Sequence, residues 1–189
     1  MKQCLPACLG LITFWGLSSC YSPKAHDALL DHAFRGRLNT SSISTLKAES
    51  RAFDKATQST AECYKHAMAS KNIPPVEAAK LRDEFVDGRI KEARRQAIAQ
   101  NSDSALKSLA HGLHTLMDSS SPMHTGKDGM PLVWDPWWPW GHSPFEAIGH
   151  ERVRDLTPAV YKKQDGLLNN AFDQAFKGTP SYSKVVSTP

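Results

Sequence analysis

Apolar positions recur at helical spacing in block after block of this chain, and no segment long enough to build a sheet alternates with a period of two. In the first block, Leu29, Leu30, Ala33 and Phe34 fall on one face of a helix that begins near His26. Residues 35–45 are rich in Arg, Gly, Asn, Thr and Ser and read as a loop. Helix-compatible stretches follow over 46–55 and 61–70. Pro74 and Pro75 then open a long amphipathic helix whose core candidates are Ala78, Ala79, Leu81, Phe85, Ile90, Ala93 and Ile98. Asn101-Ser102-Asp103-Ser104 breaks it and caps the next helix, over 105–117. Ser, Pro, Gly and Trp fill 119–141 without a period of either kind. A further helix is expected from Ser143-Pro144 and a last one over 167–176. The pattern predicts an all-α fold.

Composition adds boundaries. The chain has 189 residues, enough for one domain with a real core, and a formal net charge of +4 that neither requires nor excludes an anionic partner. Lys2 precedes an apolar run over 9–17, and Leu17-Ser18-Ser19-Cys20 resembles a bacterial lipobox. Residues 1–19 are therefore expected to be a lipoprotein signal peptide, with Cys20 acylated, the protein exported to the cell envelope and a lipid anchor as its membrane contact. Ordinary signal cleavage beside an incidental cysteine is the other reading. Residues 20–178 form the expected helical domain, and the Ser/Thr/Pro-rich 179–189 an expected disordered tail. Cys63 stands alone within the domain and reads as a small buried hydrophobe.

Chemistry is concentrated in histidines and carboxylates. His114 and Asp118 are four apart on the best-defined helix, so they share one face. His124 follows just beyond Pro122, and His142 and Glu146 form a second pair four apart. Imidazole and carboxylate are the ligands of zinc in a hydrolytic site, where one position stays open for water. A single such pair is more often a surface contact, and Ser143 with Glu146 also makes a capping box. His32, His111 and His150 read as ordinary exposed or partly buried histidines.

The run from Leu109 to His124 contains Leu113-His114, Asp118 and Pro122-Met123-His124, and His142-Ser143-Pro144-Phe145-Glu146 follows. Together they resemble the central and downstream motifs of the bacterial zinc-dependent phospholipase C family, whose site architecture the S1/P1-type nucleases share. His26 looks like the histidine that opens the family's first helix. Asp54 and His66 fit its aspartate and following histidine. Tyr64-Lys65-His66-Ala67-Met68 is similar to a segment in domains at the ends of Rhs-type toxins.

The resemblance implies a helical phosphodiester hydrolase with phospholipid or another phosphodiester as substrate. His66, His114 and Asp118, with Asp54, would hold one zinc, and His124, His142 and Glu146 a second. Asp118 would also reach a third, which in the family is completed by an N-terminal tryptophan that this chain lacks near Cys20. Asp54 is either a ligand or the catalytic base beside the attacking water. A single-strand nuclease or nucleotidase, with nucleic acid only as substrate, is the enzymatic rival. A non-catalytic zinc-binding envelope lipoprotein is the rival of another class. Trp134, Trp137, Trp138 and Trp140 crowd one Pro-rich loop. They form either a rim for lipid headgroups, bases or sugars, or a lid folded onto the domain.

Overall fold

The computed structural model describes residues 22–134 and 152–187. Among these the chain is mostly helical, with isolated β-bridges and no strand, so the all-α expectation holds. The helices are α1 (Pro23–Phe34), α2 (Thr40–Ala56), α3 (Pro75–Ile98), α4 (Ser102–Asp118), α5 (Pro158–Phe176) and the short α6 (Tyr182–Val185), with 3-10 turns at Thr60–His66 and Val153–Asp155. No helix among the described residues is long and apolar enough to cross a membrane. The signal segment, Cys20, and the helix expected from Ser143 lie outside the described residues.

Three helices start at a proline, two of them behind a side-chain cap. Ser22 Oγ accepts from the Ala25 amide and Thr157 Oγ1 from the Val160 amide, each ahead of a proline in the first turn. Pro75 opens α3 without a side-chain cap. The interior is built from α1, α4 and α5: Leu29, Leu30, Leu109, Leu113, Met117 and Leu168 are fully buried around the rings of Phe34, Phe172 and Phe176. Burying each such side chain stabilises the fold by roughly 1.5–3 kcal/mol. The stripe 106, 109, 110, 113, 117 on α4 makes it the central helix. Its Gly112 packs closely against α3, since a Cβ there would lie 3.3 Å from Arg89 Cβ.

Four expectations from the sequence are corrected. The loop ends at Asn39, not residue 45: Asn39 Oδ1 accepts from the Ser42 amide, so α2 starts at Thr40 in a Ser/Thr-rich stretch with weak apolar signal. The helix expected over 61–70 is a 3-10 turn that stops at Ala67, whose φ of 54° is left-handed. Ile98 is 56% exposed, and Ala97 takes the core position in its place, one residue earlier in the helical period. The tail is ordered through residue 187. Val185 is 1% exposed, and its carbonyl accepts from the Asn39 amide while the Ser187 amide donates to the Arg37 carbonyl. A short apolar residue buried by a distant loop leaves no periodicity to detect.

Candidate metal centre

The interior is not apolar throughout. His26, His66, His114, Asp118 and His124 are all buried, with Asp54 half-buried beside them. His26 comes from the first turn of α1, and Asp54 from α2. His66 closes the 3-10 turn, His114 and Asp118 lie in the last turns of α4, and His124 belongs to the loop beyond it. Each position has a local cause. The left-handed Ala67 ends the 3-10 turn at His66, and its next residues are tied to the loop that carries His124. The Ala69 amide donates to the Leu132 carbonyl and the Trp134 amide to the Ala69 carbonyl. His124 Nδ1 in turn donates to the His66 carbonyl.

Asp118 is the hub. Its Oδ2 lies 3.1 Å from both His66 Nδ1 and His114 Nε2, while its Oδ1 lies 3.1 Å from His26 Nε2 and 3.8 Å from His124 Nδ1. Among the described residues every ion-pair partner of this carboxylate is an imidazole; no Lys or Arg reaches it. It is 0% exposed and sits in the last turn of α4, at the negative end of that helix's dipole. A buried carboxylate in that position needs nearby positive charge. Two groups of donor atoms are close enough together to hold a metal ion, His26 with His114 and Asp118, and Asp54 with His66 and His114.

The second group, with Asp118 Oδ2 beside it, has separations suited to ligating one cation. His66 Nδ1 and His114 Nε2 are 3.3 Å apart, and Asp54 Oδ1 is 3.9 Å from each. With the two 3.1 Å distances to Asp118 Oδ2, these spacings bracket the ligand–ligand separation of about 3.3–3.4 Å that follows from zinc–ligand bonds of about 2.0–2.1 Å. The donor set, two nitrogens and two carboxylate oxygens, is one that a divalent metal ion takes.

Protonation follows the same geometry. Full burial works against charge on Asp118, but the His124 and His114 imidazoles and the hydrogen bonds from His114 and His26 outweigh it and hold the carboxyl well below its usual range. Burial pushes His114 down to about 4, against the pull of Asp118. Burial also opposes a charge on His66, yet the Asp118 hydrogen bond and charge, with Asp54, prevail and raise it. Asp54 is raised mainly by burial, and Gln58 Nε2 donates to its Oδ1 at 2.8 Å. At neutral pH the cluster thus presents an ionised hub and a neutral His114, both ready to ligate. The raised His66 favours a proton there, which a ligated cation displaces.

The surroundings hold the rings in place. His26 stacks on His114 with ring centroids 4.4 Å apart, and Phe53 meets His114 edge-on at 5.4 Å. Phe53 also stacks on His111, whose Nε2 pairs with Glu49 at 2.8 Å. His111 is therefore partly buried packing, as its sequence context suggests. His32 is exposed and pairs with Asp165 at 2.9 Å. Cys63 is buried, and burial pushes its thiol up. The arginines and lysines of α3 are largely engaged with its own acids, as in Lys91–Asp87 and Arg95–Glu92, and form a solvated face. A cavity of about 380 Å³ opens on another face of α4, lined by residues including Arg82, Asp87, Thr115, Ser119 and Thr125; it touches none of the donor residues.

Of the residues singled out from the sequence, the structure brings His26, Asp54, His66, His114, Asp118 and His124 together. Trp134 is half-buried, with its backbone fixed to Ala69. His142, Glu146, Trp137, Trp138, Trp140 and His150 lie outside the described residues. The sequence reading passed over Ser50 and Thr57, which touch His114 and His66 from α2. Their spacing with Asp54, at i, i+4 and i+7, is the signal that marks one face of that helix. No protein-family model matches the chain, and no curated protein or solved structure matches it.

Proposed function

We propose that this protein is a zinc-dependent hydrolase of phosphodiesters, with phospholipid as the preferred substrate class, exported and held at a membrane through Cys20. The observation that carries the reading is the environment of Asp118: a fully buried carboxylate at the negative end of a helix, whose ion-pair partners among the described residues are imidazoles, beside donors close enough to hold a metal ion. Zinc in such a set acidifies a bound water toward neutrality and neutralises charge on phosphoryl oxygens. His66 Nδ1, His114 Nε2 and Asp118 Oδ2 would hold it. Asp54 is the most exposed of these donors, with an 18% accessible side chain. Its raised pKa suits it to accept a proton, with Gln58 fixing one oxygen. His26 and the second oxygen of Asp118 form an adjoining pair. On the sequence motif alone, His124 would join His142 and Glu146 in holding a second zinc. The preference for lipid rests on the Leu17-Ser18-Ser19-Cys20 ending and the tryptophan loop.

Metal analysis of the purified protein, paired with turnover of a nitrophenyl phosphodiester, phospholipid vesicles and single-stranded nucleic acid, tests this directly. Two zinc ions per chain and faster turnover of vesicles are the expected result. Faster turnover of nucleic acid would move the reading to a nuclease. Bound zinc without any turnover would make the protein a zinc-binding envelope factor. No bound metal after reconstitution would end the proposal.

A further inference from the structure

The donors of the cluster account for one nitrogen of each imidazole, and the other nitrogens carry further information. His66 Nε2 lies 2.8 Å from Thr57 Oγ1, and His114 Nδ1 lies 3.1 Å from Ser50 Oγ. Ser50 and Thr57 are 1% and 5% exposed, so no bulk water competes for these contacts. The Thr57 hydroxyl has already used its proton, because Oγ1 donates to the Phe53 carbonyl at 2.8 Å. A hydroxyl in that state can only accept from a ring nitrogen. His66 must then carry a hydrogen on Nε2, and in the neutral ring Nδ1 is left with the lone pair, 3.1 Å from Asp118 Oδ2 and 3.3 Å from His114 Nε2.

Ser50, Asp54 and Thr57 fall at i, i+4 and i+7 of α2, so one helix face delivers one donor carboxylate and two hydroxyls. The two hydroxyls flank that carboxylate and address two different histidines. Neither is explained by helix capping alone. Thr57 does bond back to Phe53 at the end of α2, but that bond leaves its lone pairs for His66.

We propose that Thr57 and Ser50 are positioning residues of the metal centre: Thr57 fixes the tautomer of His66 so that its Nδ1 lone pair faces the cation, and Ser50 holds the ring orientation of His114. An imidazole whose far N–H is held by an oxygen has one ligating tautomer and is a stronger donor. The inference rests on the reading that the cluster binds zinc, and its failure is separable from the failure of that reading.

Zinc affinity is measured by competition with a chromophoric chelator, and the tautomers are read from long-range proton–nitrogen correlations of the histidine rings. Thr57→Val, which keeps the shape and removes the acceptor, is expected to weaken zinc binding about 10- to 100-fold. Thr57→Ser restores it, and Ser50→Ala weakens it in the same range. The spectrum of the zinc-loaded wild type shows His66 protonated at Nε2. A zinc-loaded wild type with His66 protonated at Nδ1 overturns the proposal without any variant, and so does Thr57→Val with undiminished affinity. If Thr57→Val does not fold, the wild-type spectrum and Ser50→Ala still decide. A wild type that takes up no zinc removes the metal centre itself, which is the separate failure.

Discussion

His26 and Asp118 are separated by 92 positions, yet His26 Nε2 lies 3.1 Å from Asp118 Oδ1, and both side chains are buried. The contact joins the first turn of α1 to the last turn of α4 across the apolar interior. It also divides the carboxylate: Oδ1 serves His26, and Oδ2 serves His66 and His114. One residue therefore ties two donor groups to one helix end. The first group needs α1 packed against α4, and the second needs α2 and the 3-10 turn packed against it.

The division predicts unequal effects from two substitutions. Asp118→Asn keeps the shape and removes the charge that both groups share, so zinc content of this cluster should fall to background. His26→Ala touches only the Oδ1 side and should leave the ion held by His66, His114 and Asp118 Oδ2 in place. Elemental analysis after exposure to a weak chelator distinguishes them. Full zinc content in Asp118→Asn refutes the shared hub.

Two glycines in helices test the closeness of α3 and α4. Gly88 has open space where a Cβ would go, whereas at Gly112 a Cβ would meet Arg89 Cβ at 3.3 Å. Gly88→Ala should therefore gain about 0.5–1 kcal/mol from helix propensity. Gly112→Ala carries the same propensity gain but forces two helices apart, and should come out about 1–3 kcal/mol less stable than Gly88→Ala. Urea denaturation midpoints at constant m value give both numbers. Equal stability in the two variants would show that α3 yields at no cost.

How much could be read from the sequence depended on whether a residue's role was local. The i, i+4 pair His114 and Asp118 was legible because helical spacing places both on one face, and the leucines around them made the helix itself plain. His26, Asp54 and His66 were reachable only through a resemblance, since nothing in the spacing from 26 to 66 to 118 says that the chain brings them together. The left-handed Ala67 that sets His66 in place is an alanine, a residue with no sequence signature for that conformation. Ser50 and Thr57 were hidden for a different reason. Hydroxyl residues are common on exposed helix faces, and only burial identifies these two as partners of histidines. The segment 179–187 went unseen because Val185, its one buried apolar residue, packs through a distant loop and has no period, and buried Thr179 and Ser181 are polar.

Zinc binding should release a proton, and the cluster says from where. The His66 pKa is raised in the metal-free site, so near pH 6 its ring holds a proton that ligation through Nδ1 must expel. His114, at about 4, and Asp118, well below the carboxylate range, are already deprotonated there and release none. A zinc-bound water, with a pKa of about 7, still keeps its proton. Calorimetry near pH 6 in buffers of different ionisation enthalpy should therefore find close to one proton released per zinc at this site. Apparent affinity should weaken as pH falls below the raised His66 pKa. The same sign applies to the metal-free fold: the His66 contribution is fully present below about pH 6.5, the unfolded imidazole value, and is lost as pH rises through the folded one. Zinc uptake without proton release at pH 6 would place the ion away from His66.

Asp54 decides between a binding role and a catalytic one. Its Oδ1 stands 3.9 Å from both His66 and His114, further than Asp118 Oδ2 at 3.1 Å, and Gln58 already donates to that oxygen. Burial raises its pKa, which favours a group that takes up a proton during turnover over one that only holds charge. Asp54→Asn preserves size and the reach of Gln58 while removing basicity. Zinc content should then stay near the wild-type value, and turnover of a nitrophenyl phosphodiester should fall about 10²- to 10⁴-fold, the range of a lost general base. The pH profile should lose its acidic limb with it, because the protonation that shut down the wild type has no equivalent in an amide. If zinc content drops in proportion to activity, Asp54 is a ligand, and the base must be sought elsewhere on the same open side of the cluster. If neither changes, Asp54 has no part in the chemistry, and its position beside His66 and His114 is one of packing alone.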